Sequence, residues 1–212
     1  MNDKFYDIKS DKQERIINAA IKVFAENGYK KASTDVIVKE AEISKGLLFH
    51  YFTNKIGLYE YIVEYSARFF AFEMTSTVNK NEHDFFELQL QMERAKLHVM
   101  KLYPYMQEFL SGLKYENDPE AKAVIGNNAY VLENIYDQIN RQADNTKFND
   151  FVVVNRIVNM LKWMSDGYVK EALNKQQIDL EEMGEEFSRY LKMMKAQFYK
   201  GGSIGVSRED FA

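Results

Sequence analysis

Between residues 55 and 200 apolar side chains return at steps of three and four almost without interruption, and that period belongs to helices. Only two prolines, Pro104 and Pro119, punctuate the chain, and glycine is sparse between Gly57 and Gly201. No segment alternates apolar and polar residues between hairpin turns, so a β architecture has little support. The expectation is an all-α chain: an N-terminal three-helix domain containing a helix-turn-helix, then a larger helical bundle. With 46% hydrophobic residues in 212, the chain can bury a sizeable core.

The first 55 residues read as short helices. Asp11 to Asn27 forms one, with Ile16, Ala20, Val23 and Phe24 on its apolar face and Gly28 placed to end it in a left-handed conformation. Tyr29 can then pack back on it. Ser33 and Thr34 are N-cap candidates for a second helix reaching Ala41, with Asp35 in its first turn. After a break at Glu42-Ile43, Ser44 can cap a third helix from Lys45 to Tyr51, with Leu48 and Phe52 facing inward. Thr53-Asn54 caps a longer helix from Lys55. Two short helices across a tight turn, braced by longer ones, make a helix-turn-helix over about Thr34 to Tyr51.

Beyond it the expected helices are 55–79, 83–102, 104–115, 119–142, 149–175 and 179–200. The expected domains are a helix-turn-helix domain over 1–54 and a larger helical domain over 55–200. Residues 201–212 lack a periodic apolar face and read as a mobile tail.

The formal charge is −4, and its distribution says more than its sum. Residues 1–55 carry 10 Lys/Arg against 8 Asp/Glu, whereas the remainder carries 18 against 24. A slightly basic end on an acidic body suits local contact with phosphates, not wrapping of nucleic acid. Without cysteine there is no disulfide framework and no Cys-ligated metal site. No secretory leader or 18-residue apolar stretch is evident, so a cytoplasmic protein with no membrane partner is expected.

The segment from Ile16 to Leu58 contains Ala20, Phe24, Asn27-Gly28-Tyr29, Ser44-Lys45-Gly46, Phe49-His50-Tyr51-Phe52 and Asn54-Lys55 at fixed spacings. In these residues it resembles the DNA-binding domain of the TetR family of bacterial transcriptional regulators. The resemblance implies double-stranded DNA as a partner, with Thr34, Ser44, Lys45, Gly46, Leu47, Phe49, His50, Tyr51 and Lys55 at the contact. The chemistry agrees. Lys45 and Gly46 stand at the end of the helix that meets base edges in a major groove, and Gly46 lets backbone approach closely. Leu47 and Phe49 can touch thymine methyls, His50 a base edge, and the hydroxyls of Thr34, Ser44 and Tyr51 phosphates. Phe49 could equally pack beneath its helix. Lys55, a cation where the helix dipole is already positive, makes sense beside an external anion or as a solvated lysine. The chain departs from the family pattern at Glu42, where Gly is common; Glu42 must take a strained φ or belong to a different turn.

The family also implies a homodimer and a small-molecule effector. Val154, Ile157, Leu161, Met164 and Tyr168 step by three and four, as do Met183, Phe187, Leu191, Met194 and Phe198. Ile157, Leu161, Met164, Tyr168, Phe187, Leu191, Met194 and Phe198 are the interface candidates, although the same stripes would serve an intramolecular core. Met92, Met100, Tyr103, Met106, Phe109, Tyr130 and Trp163 are candidates to line a pocket for an apolar or amphipathic effector; plain core is the competing use.

Enzyme signatures are missing. The residues three before His50, His83 and His98 are Leu47, Lys80 and Ala95, so no di-iron Glu-x-x-His pattern occurs. There is no HExxH, Walker loop, dinucleotide fingerprint or GxSxG elbow. No catalytic residue, metal or cofactor is expected. A helical interaction module without DNA binding is the alternative, with Glu42 as its best argument.

Overall fold

The computed structural model describes residues 3–175 and 179–202. These residues form ten α-helices: α1 Ser10–Lys31, α2 Thr34–Glu40, α3 Lys45–Phe52, α4 Lys55–Thr77, α5 Phe85–Leu102, α6 Met106–Gly112, α7 Pro119–Ile125, α8 Val131–Asn140, α9 Val154–Lys175 and α10 Leu180–Phe198. Short 3₁₀ turns join some of them, and the extended backbone among the described residues is limited to an isolated antiparallel bridge between Phe148 and Tyr199. The fold is all-α, as the apolar period requires. No described helix is long and apolar enough to cross a membrane.

Local chemistry sets the helix ends. Gly28 interrupts α1 with φ 66°, so the regular helix stops at Asn27, whose side-chain amide donates to the Val23 carbonyl at 2.9 Å. Asp118 and Asp179 cap α7 and α10, each accepting two backbone N–H bonds. Asp84 does the same for α5, accepting from the N–H of Phe86 at 3.1 Å and of Glu87 at 3.2 Å. The expected helix 119–142 is two helices: Gly126 takes φ 49°, and a 3₁₀ turn Gly126–Tyr130 separates α7 from α8. Gly126-Asn127-Asn128 has low helix propensity, which outweighs the apolar period there. The expected start at 149 moves to Val154, because residues 149–153 form turns.

The described chain divides into two compact units, one gathering residues up to Phe72 with Val99–Asn134, the other Glu73–His98 with residues from Ile135 on. The first unit extends past residue 54 and takes in α4 as far as Phe72. Residues 203–212, most of the expected tail, lie outside the described residues.

In the first unit Ile16, Ile21, Phe24, Ile37, Leu48, Phe52, Leu58 and Ile62 are buried. Phe5, in a 3₁₀ turn ahead of α1, plugs one side of this core. Its ring centroid lies 4.9 Å from Phe52, 5.5 Å from Tyr51 and 5.4 Å from Tyr61. The second unit is built around Phe85, Phe86, Phe148, Ile157, Leu161, Phe187, Leu191 and Tyr199. It also buries an ion pair: Lys96 Nζ donates to Glu93 Oε2 at 3.1 Å and to Ser165 Oγ at 3.0 Å. Burial alone would lower the Lys96 pKa, but Glu93 beside it raises it above the usual lysine value.

Candidate nucleic-acid interface

The helix-turn-helix is α2, a four-residue turn and α3. Its backbone closes through Ala41 N–H to Ile37 O at 2.9 Å, Glu42 N–H to Lys39 O at 3.3 Å and Ile43 N–H to Val38 O at 3.0 Å. Glu42 takes the left-handed conformation, φ 55°, so of its two expected alternatives the strained φ is the one observed. Its carboxylate reaches back to Arg15 of α1 at 3.3 Å, which gives the misplaced negative charge a partner. Ser44 caps α3, its Oγ accepting from Leu47 N–H at 3.2 Å.

Helical spacing sorts the side chains of α3. Leu48, Tyr51 and Phe52 are buried, together with Ile37 and Ala41 from α2 and the turn. Gly46 and His50 are exposed on the opposite face, and Ser44 and Lys45 are exposed at the start of the helix; Leu47, Phe49 and Thr34 are half-exposed. Lys45 pairs with Asp35 at 2.8 Å, an exposed contact of little strength that an anion could replace. A Cβ on Gly46 would meet no atom of the chain within 4 Å, so internal packing does not require glycine there. Close approach from outside the chain would.

Two expected contacts change. Tyr51 is only 5% exposed, and its ring packs on Phe5; its hydroxyl was expected at phosphate reach, but the residue belongs to the core. The period explains the change, because position 51 lies three after Leu48 and shares its face. Lys55 does not face an open helix end. Its ammonium donates to the Lys30 carbonyl at 3.2 Å and lies 4.6 Å from the centroid of the Tyr29 ring. Desolvation lowers its pKa, while the nearby carboxylates of Asp118, Glu120 and Glu116 act to raise it; the net direction is down. The α4 amide end is served by Asn54, whose Oδ1 accepts from Gly57 N–H at 2.9 Å.

Sequence reasoning missed how the α1–α2 junction is held. Glu116 Oε2 accepts from the Tyr29 N–H at 2.8 Å, and Glu120 Oε2 from the Tyr29 hydroxyl at 2.7 Å. Glu116 and Glu120 lie 87 and 91 residues away, so no local pattern points to them. Phe5 was equally hidden, since it precedes any periodic run.

The interface and pocket candidates also find their places. Ile157, Leu161, Phe187 and Leu191 are at most 4% exposed within their own unit, so their apolar area is spent on the monomer core. Met164, Tyr168, Met194 and Phe198 are half-buried. Of the pocket candidates, Met92, Met100, Tyr103, Met106 and Phe109 are buried, whereas Tyr130 and Trp163 are exposed at 59% and 67% and line no interior space. Phe109 borders a cavity of about 510 Å³ within the first unit, shared with Phe24, Tyr29, Tyr59 and Leu113.

Residues 16–62 match the family model described as bacterial regulatory proteins, tetR family. Over 49 residues the chain is 45% identical to the HTH-type transcriptional regulator UidR of Escherichia coli K12, covering 23% of this chain and 25% of that protein. The chain therefore spans about a quarter of the length of this curated relative. An HTH-type transcriptional regulator of Haemophilus influenzae is 30% identical over 123 residues, covering 56% of this chain and 62% of that one. In fold, the chain is similar to a TetR family transcriptional regulator from Chloroflexus aurantiacus, with TM-score 0.60 at 13% identity, over 94% of this chain and 98% of that chain. The matched residues coincide with the buried scaffold and exposed α3 face described above. Over residues 16–62, the helix-turn-helix and the helices that brace it, the chain is thus similar to the tetR family of bacterial regulatory proteins.

Proposed function

We propose that the protein is a cytoplasmic, ligand-responsive transcriptional regulator, a repressor, that binds a palindromic operator as a homodimer and is released by a small apolar or amphipathic effector. The observation that carries this reading is the division of α3. One face is buried to hold the helix rigidly, while Lys45 is presented at the helix start and Gly46 and His50 on the opposite face. That is the geometry a recognition helix needs to set side chains against base edges while phosphates fix its position. Residues 1–54 would do the reading, and residues 55–200 would carry dimerisation and the effector site.

A homodimer is supported by apolar side chains that the second unit leaves in solvent. Met160 and Trp163 on α9 are 43% and 67% exposed, and Tyr190 and Met193 on α10 are 43% and 45% exposed. Met160 and Trp163 are three residues apart and share a stripe; so do Tyr190 and Met193. These four replace the buried Ile157, Leu161, Phe187 and Leu191 as the anchors of the proposed interface. An effector would act by binding better to a dimer whose α3 helices no longer match successive major grooves, in proportion to that differential affinity.

Selection of bound duplexes from a random DNA pool tests the reading. The expected product is a palindrome with half-site centres one helical turn apart, roughly 34–36 Å, or a multiple of it. Its affinity should fall steeply with salt. Failure to enrich any sequence at low salt would contradict it.

A further inference from the structure

Tyr29 is bound at three points, and all three belong to the first unit. Its N–H donates to Glu116, its hydroxyl donates to Glu120, and its ring face carries the Lys55 ammonium. Glu116 is itself fixed: its other oxygen accepts from the N–H of Asn117 at 2.8 Å and of Asp118 at 2.9 Å. Burial would raise the Glu116 pKa, but the backbone donors of Asp118, Tyr29 and Asn117 overcome this and hold it below the usual glutamate range. It is therefore an anion wherever the protein is folded near neutral pH. Gly28 stands beside it in the left-handed conformation, φ 66°, which favours glycine.

The ring links the acidic segment to the cation. A phenol that donates to a carboxylate gains electron density on its face, and a cation over that face is held more firmly. Lys55 thus feels Glu120 through Tyr29 as well as through space. Charge at Lys55 spent on this arrangement is unavailable to an external phosphate.

We propose that the segment Glu116–Glu120, which leads into α7, is an intramolecular clasp that holds Lys55 on Tyr29 and so competes with DNA phosphate for it. Engagement of the clasp weakens DNA binding; its release frees one cation beside the helix-turn-helix. The segment runs from the turn after α6 into the first turn of α7, so anything that displaces those helices acts on DNA affinity through these residues. The inference rests on the DNA-binding reading above and adds a control point to it.

The test is a double-mutant cycle on affinity for the selected duplex at low salt. Glu120→Gln keeps a hydrogen-bond acceptor for Tyr29 and removes the charge. It should tighten binding by about two- to fivefold, the range of an exposed charge pair, and the gain should shrink as salt rises. In a Lys55→Met background the same substitution should change nothing. Tyr29→Phe, which keeps the ring and loses the hydroxyl, should also tighten binding and stands in if Glu120→Gln fails to fold. An equal gain with and without Lys55 would mean a general field effect and overturn the clasp. So would unchanged or weaker binding by both single variants. A wild-type protein that enriches no DNA would overturn the DNA-binding reading and the clasp together; one that binds, with variants unchanged, overturns the clasp alone.

Discussion

Two glycines near the proposed interface are present for opposite reasons. A Cβ at Gly57 would stand 2.4 Å from the backbone carbonyl oxygen of Phe52, so the α3–α4 junction closes only around glycine. Gly46 has open space around it and costs the helix stability for no internal gain. Gly57→Ala should therefore lose about 2 kcal/mol or more in urea denaturation, the usual scale for backbone strain. Gly46→Ala should gain about 0.5–1 kcal/mol yet bind DNA more weakly. A Gly46→Ala protein that is both more stable and an undiminished binder would remove the close-approach argument. Glu42 is a related case: the sequence placed a strained φ or another turn there, and the structure shows φ 55° with Arg15 as partner. Tyr51 and Lys55 were the residues whose roles changed. Both were given outward roles that ignored partners distant in sequence, Phe5 for one and Tyr29 with the 116–120 segment for the other.

At the scale of elements, apolar period and capping chemistry made α1 to α6, α9 and α10 legible to within a few residues. The split of α7 from α8 was not legible, because a local weakness at Gly126-Asn127-Asn128 lies inside an otherwise helical pattern. Caps also carry the clearest pH dependence. Asp84 caps α5 and meets Lys147 at 3.3 Å and Lys195 at 3.1 Å. Burial would raise its pKa, but the Lys195 and Glu87 N–H contacts and Lys147 dominate and lower it below the usual aspartate value. A folded-state pKa below the unfolded one means the contribution is present above the unfolded value and is lost as pH falls through the folded one. Asp84→Asn should therefore cost about 1 kcal/mol at neutral pH, with the deficit shrinking in acid below the ordinary aspartate range. A deficit that stayed constant from neutral to strongly acidic pH would show that the charge is not what stabilises α5.

For the whole molecule, the fold class was readable from periodicity, and the likeness of residues 16–62 to the tetR family from the closely spaced motif. The proposed dimer surface was not, because heptad-like stripes look alike whether they meet their own chain or a second copy. In the structure Ile157, Leu161, Phe187 and Leu191 fill the core, while Met160, Trp163, Tyr190 and Met193 stay exposed, which makes the latter four the proposed surface. Trp163→Glu should place a charge in the proposed dimer interface and yield a folded monomer by light scattering at micromolar concentration. A wild-type monomer, or a Trp163→Glu dimer, would refute that surface. The central claim, that α3 reads DNA sequence, is tested most directly by repeating the duplex selection with Lys45→Ala and Lys55→Ala. The expected result is a changed base preference at a half-site position for Lys45→Ala, with the wild-type palindrome retained for Lys55→Ala. The same selected palindrome from the wild type and Lys45→Ala, at equal affinity, would contradict it.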